Sequence, residues 1–345
     1  MDFNRIAENL AEKFPKKLYT IDSHTAGEPT RLIIGGLGPL PGKTMRDKRL
    51  YLMENFDNVR LQLTNEPRGH RDMLAALVTE PASADADFGL IYMDTRRYPF
   101  LCGHATIGAV TTLIEAGVVE AQEPFTTVTV DTPSGLMETK AHISGGRVES
   151  VSIRMVPSFV YRTGELLDVP DVGTITVDTV CVGGFFVMVS VNQPGMEIVG
   201  KNSRETIDLG MTLIDLANQQ LSVRHPVRPE VTTVDVVEFY DSSNDHKGIG
   251  TNFVVYGEGH LDRSPCGTGT AAKLTLLHRQ SRIGVNQPFQ NRSCLGSAFV
   301  GRIVEETRVG DLPAVVVEIR GSAHITGIHQ FIVDPQDPFP QGFLT

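Results

Sequence analysis

Two segments of this chain repeat each other, and that repetition constrains the fold more than any other feature. "CGHATIGAVTTL", from Cys102, and "CGTGTAAKLTLL", from Cys266, align without gaps. They are identical at Cys102/Cys266, Gly103/Gly267, Thr106/Thr270, Thr111/Thr275 and Leu113/Leu277. The second begins 164 residues after the first, close to half of the 345-residue chain. An apolar, strand-like run precedes each, "FGLIYM" and "FVVYGE". A repeated strand–cysteine–helix unit predicts two similar α/β domains, and a chain this long can give each its own core.

The rest of the sequence fits that frame. A polar first helix precedes two short strands around a turn with Gly27 and Pro29, and helical character follows from about Lys43 to Asn55. "VRLQLTNEPRGHRDMLAALVTEP" reads as strand, loop and strand. Ile107, Val110, Thr111 and Ile114 share one face of the first cysteine helix, which Gly117 is suited to end. "SRETIDLGMTLIDLANQQL" reads as an amphipathic helix, and strands dominate elsewhere up to the Pro-rich tail "VDPQDPFPQGF".

Composition narrows the function classes. Apolar residues at 41 % and charged residues at 21 % are ordinary for a soluble globular protein. No apolar stretch nears the ~18 residues of a membrane span, and the charged N-terminus lacks the pattern of a secretory signal, so a cytoplasmic protein is expected. A net charge of −10 without a basic run disfavours nucleic acid. The cysteines, Cys102, Cys181, Cys266 and Cys294, have no close pairing and are expected to be reduced thiols.

A cysteine at a helix start meets unpaired backbone N–H groups and the positive end of the helix dipole. Both stabilise a thiolate, and can bring the thiol pKa from about 8.5 toward neutrality. Gly103 and Gly267 leave the amides open to an anion such as a carboxylate. If pseudo-symmetric domains face each other across a cleft, the two sulfurs flank one bound molecule, a geometry suited to stereoinversion at carbon. One sulfur as thiolate takes the Cα proton and the other as thiol delivers one to the opposite face, while two sets of helix amides stabilise the charge building on the carboxylate. Cys181 and Cys294 open no helix after a Gly/Pro-marked turn and read instead as small apolar groups.

At these residues the chain resembles the proline racemase family. The resemblance covers nearly the whole sequence and is carried by "IDSHTAGEPTRL", "NEPRGHRDM", "MDTRRYPFLCGHATIG", "VDTPSGL", "VPSFVY", "DRSPCGTGTAAKL" and "DPQDPFPQGF". It implies an α/β (α+β) fold of the diaminopimelate epimerase-like type, with two pseudo-symmetric domains and the active site in the cleft between them. The boundaries expected are 18–150 plus 327–345 for one domain and 151–326 for the other. The implied activity is racemisation or epimerisation of proline or hydroxyproline without cofactor or metal, usually by a homodimer.

Carried over by position, Cys102 and Cys266 become the paired acid and base. His104 and Asp262 fall near the substrate's ring nitrogen, and N–H groups around Gly103, His104, Gly267 and Thr268 hold its carboxylate. On residue type alone His104 is equally a helix-start residue and Asp262 a turn residue. Leu74, Tyr92 and Tyr256 stand where the family commonly lines the ring pocket with phenylalanine, so two hydroxyls are candidates to receive a hydroxylated ring. His24 and His70 have weaker cases, and Arg96 and Arg97 stand close to the entry. Dehydratases resembling this family place threonine where Cys266 stands, which favours inversion over dehydration.

Three rival readings remain open to test. Gly267, Gly269 and Ala272 spell G-x-G-x-x-A, but the acidic residue expected some ~20 positions later in a dinucleotide site is missing. Cys102, His104 and Cys266 have zinc-compatible chemistry but sit as small clusters on apolar helices. A ligand-binding relative without turnover is the third.

Overall fold

The computed structural model describes residues 3–14 and 16–344 as a mixed α/β protein. The helices are α1 (Phe3–Lys13), α2 (Met45–Thr64), α3 (Gly103–Glu115), α4 (Ser203–Gln220) and α5 (Gly267–Arg279), the others being mostly strands. Contacts divide the chain into two units. The first holds residues 1–25, 29–151 and 322–345, and the second residues 26–28 and 152–321.

In the first unit, strand Glu28–Gly35 leads through α2 to Leu74–Thr79, which lies parallel to it. Strand Phe88–Asp94 pairs antiparallel with Leu74–Thr79 and leads through α3 to the parallel Phe125–Thr132, which turns back antiparallel into Gly135–Ser144. The second unit repeats this series. Gly184–Ser190 leads through α4 to the parallel Val234–Asp241, and Ile249–Tyr256 pairs antiparallel with that strand. Ile249–Tyr256 then leads through α5 to the parallel Phe289–Arg292, followed by the antiparallel Ala298–Val309. A parallel pair needs a crossover of a dozen or more residues, and each of the four helices supplies one. The repeat read from twelve residues around each cysteine thus extends to the strand order. The end of the chain pairs Ala323–Ile332 antiparallel with Lys17–Thr25 in the first unit.

Each unit has its own apolar core. Leu52, Val59, Leu63, Leu77, Ile91 and Met93 meet in the first, and Phe159, Phe185, Leu213, Val237 and Phe239 in the second. Helix α2 runs further than expected and takes in residues 59–64, which alternate like a strand. A kink at Phe56 (φ −137°, ψ 24°) divides it, with Leu52 buried before the kink and Val59 and Leu63, one turn apart, buried after it. Its start is fixed by a capping box, in which the Thr44 hydroxyl accepts from Asp47 N at 3.1 Å and the Asp47 carboxylate accepts from Thr44 N at 2.9 Å. Helix α3 also departs from expectation, being buried on every face from His104 to Ile114. No helix among the described residues is long and apolar enough to cross a membrane.

Candidate active site

In the first unit the strand Phe88–Asp94 delivers the chain to Cys102, the N-cap of α3. Cys102 is half-buried with an extended backbone (φ −146°, ψ 111°), and its sulfur makes no capping bond. The sulfur instead lies 3.3 Å from His104 Nδ1. His104 is buried in the first turn of the helix, where its carbonyl accepts from Thr25 Oγ1 at 2.7 Å. Thr106 ties the helix start together, since its hydroxyl donates to the Cys102 carbonyl at 2.8 Å. That leaves Tyr92 OH as the donor in its 2.6 Å bond to Thr106 Oγ1. Tyr92 is fully buried, and burial raises its phenol pKa, with a smaller contribution from the Cys102 charge.

In the second unit α5 starts at Cys266, which is only 8 % exposed and has φ +57° and ψ 119°. A positive φ at a residue other than glycine costs of order 1–3 kcal/mol and persists only where the surroundings enforce it. Here they do. Asp262 Oδ1 accepts from Ser264 N at 2.8 Å and Ser264 Oγ at 2.7 Å, and Ser264 Oγ in turn accepts from Cys266 N at 3.1 Å. The Cys266 sulfur accepts from Gly269 N at 3.4 Å and lies 3.3 Å from Thr268 Oγ1.

The electrostatics of this half depart from what a helix start alone implies. Burial pushes the Cys266 thiol well above its ordinary pKa, and the Asp262 charge adds to the shift, outweighing the bonds from Thr268 and Gly269. Burial, with the Glu28 charge adding to it, lifts Asp262 to about 7 against the opposing effects of His260 and Ser264. Residue type and spacing missed Glu28 and its partners. Glu28 is fully buried, lies 2.9 Å from His260 Nε2, and accepts from Arg263 N at 2.8 Å. His260 stacks on Tyr256 with ring centroids 4.6 Å apart.

The sequence-derived residues thus fall into two groups. Cys102, Gly103, His104 and Tyr92 gather at the start of α3, whereas Asp262, Gly267, Thr268 and Cys266 gather at the start of α5. Leu74 is buried at the first position of its strand. Arg96 and Arg97 belong to a turn in which both backbone amides donate to Asp94 Oδ1, at 2.8 and 2.7 Å. His70 accepts from Asp72 N within its own loop, and His24 packs 5.3 Å from His324. Cys181 sits in the core, while Cys294 is less apolar than expected and donates to the Asp262 carbonyl at 3.5 Å. No group of three His, Cys, Asp or Glu among the described residues is placed to hold a metal ion.

Comparison with known proteins covers the whole of this arrangement. The family model described as proline racemase matches residues 20–344. Proline racemase from Clostridioides difficile is 43 % identical over 96 % of this chain and 99 % of its own length. The 4-hydroxyproline 2-epimerase of Streptosporangium roseum is 39 % identical over 94 % of this chain and 98 % of its own. The crystal structure of a hydroxyproline epimerase from Agrobacterium vitis, with bound trans-4-hydroxy-L-proline, is similar with a TM-score of 0.85 at 33 % identity, covering 96 % of both chains.

Proposed function

The chain belongs to the proline racemase family, and on that premise we propose that it is an isomerase that inverts the α-carbon of proline or a hydroxyproline by a cofactor-independent, two-thiol mechanism. The observation that carries the reading is the duplicated helix start, with a cysteine as N-cap of α3 and another as N-cap of α5. The frame is the diaminopimelate epimerase-like one, with domains of 18–150 plus 327–345 and 151–326 each contributing one sulfur.

The two sulfurs enter the reaction in different states. Cys266, whose burial favours the neutral form, is the proton donor of the resting enzyme. Cys102, half-buried beside His104, is the base that removes the Cα proton. Turnover in the opposite direction exchanges the roles. The amides of Gly103, His104, Gly267 and Thr268 point out of the two helix starts and receive the substrate carboxylate, whose charge grows as Cα is deprotonated. Asp262, poised near neutrality, is suited to share a proton with the ring amine.

Substrate choice follows from Tyr92. Its hydroxyl is spent on Thr106 and fully enclosed, which leaves Tyr256, stacked on His260, as the one candidate hydroxyl of the pair and tilts the choice toward proline over 4-hydroxyproline. The test is kcat/KM for L-proline against trans-4-hydroxy-L-proline, followed by chiral chromatography. A ratio above about tenfold for proline supports the reading, and preference for the hydroxylated ring overturns it. The homodimer implied by the resemblance is checked by light scattering on the purified protein.

A further inference from the structure

Behind Cys266 lies a buried polar cluster that the reaction as described does not use. Glu238, on strand Val234–Asp241, is fully buried. Asn252 Nδ2 donates to Glu238 Oε1 at 3.0 Å and to the Pro265 carbonyl at 2.9 Å. Thr270 Oγ1 donates to the same carbonyl at 3.1 Å, and Asn291 Nδ2 donates to Thr270 Oγ1 at 3.0 Å. The peptide leading into the positive-φ cysteine is therefore held by two side-chain donors. Glu238 Oε2 has no hydrogen-bond partner and packs against Gly269, where an added Cβ would sit 2.8 Å from it. The Gly269 amide is itself a donor to the Cys266 sulfur.

We propose that Glu238, held as a neutral carboxylic acid, is a positioning residue that fixes the turn of Cys266 through Asn252 and keeps negative charge away from its sulfur. The inference rests on the acid–base role of Cys266 given above. A fully buried carboxylate with one oxygen unpaired is costly unless a cation meets it. The nearby cation is committed elsewhere, since Lys273 Nζ donates to the Asp241 carbonyl at 2.7 Å and lies 3.1 Å from Asp245 Oδ1. Burial pushes the Glu238 carboxyl up to about 8, with Asn252 and Lys273 opposing. Besides those two, Tyr240 on its own strand and Cys266 at the helix start feel its charge. Its ionisation disfavours the thiolate at Cys266.

The test compares Glu238→Gln, which keeps shape and neutrality, with Glu238→Leu, which removes the polar link, in the full chain. Gln is expected to hold kcat at neutral pH within about threefold, and Leu to lower it about tenfold or more with KM little changed. The decisive readout is alkylation of Cys266 against pH, followed by peptide mass spectrometry in a Cys102→Ser background. Above pH ~8, where Glu238 ionises only in the parent, the Gln chain is expected to react at least about threefold faster. Superimposable profiles overturn the proposal, as does a Gln chain that fails to fold or a Leu chain equal to Gln. If Leu does not fold, the Gln profile decides. Alkylation needs no turnover, so an inactive chain showing this shift would keep the inference while sinking the isomerase reading.

Discussion

Cys102 and Cys266 open equivalent helices in units with the same series of strand pairings, yet the two sulfurs stand in different surroundings. Around Cys102 the backbone is relaxed, the sulfur half-buried, and a histidine ring its near neighbour. Around Cys266 the backbone takes a positive φ, and burial of the sulfur, with the Asp262 charge adding, raises its pKa. A duplicated scaffold therefore fixes the helix start on which each thiol stands, while the surroundings of each differ, and at Cys266 burial with the Asp262 charge raises the thiol pKa. In the mechanism proposed above, that difference assigns the base to Cys102 and the acid to Cys266.

The largest effect expected is shared by both halves. Cys102→Ser and Cys266→Ser should each lower racemisation by about a thousandfold or more, with circular dichroism unchanged, because inversion needs both proton carriers. A variant retaining most activity would break the equivalence of the two positions. The difference between them is sharpened by alkylation of the free enzyme at neutral pH. Cys102 should be modified about tenfold faster than Cys266, as read by peptide mass spectrometry, since reactivity follows thiolate fraction and access. Equal rates would contradict the asymmetry.

A smaller effect separates two glycines of the second helix start. An added Cβ at Gly269 meets Glu238 Oε2 at 2.8 Å and Cys266 Cβ at 3.1 Å, while at Gly267 nothing lies nearer than Met155 Cε at 3.9 Å. Gly269→Ala should cost about 1–3 kcal/mol in urea unfolding, and Gly267→Ala should change stability by less than about 0.5 kcal/mol. The two changes costing the same would contradict a tight backing of Cys266.

Much of this organisation is legible in the chain. The identities between the Cys102 and Cys266 segments signal a duplication that the strand pairings then extend. What is local fails in informative places. Residues 59–64 alternate like a strand, but they lie on the helical segment beyond a kink at Phe56, where Val59 and Leu63, one turn apart, join the apolar core. A helix start favours the thiolate, but at Cys266 burial outweighs that contribution. The Tyr92 hydroxyl, a candidate ring contact by position, is consumed by Thr106. Glu28, Glu238 and Asn252 are scattered along the sequence at no shared spacing, and only the fold shows which helix start they serve.

The most direct measurement follows Cα of L-proline by NMR as the enzyme turns it over in deuterated water. Two thiols, one removing and one delivering a proton, predict deuterium at Cα of each D-proline molecule as it first forms, while the remaining L-proline keeps protium early in the reaction. D-proline that carries the original proton, or exchange into L-proline without inversion, would contradict the account.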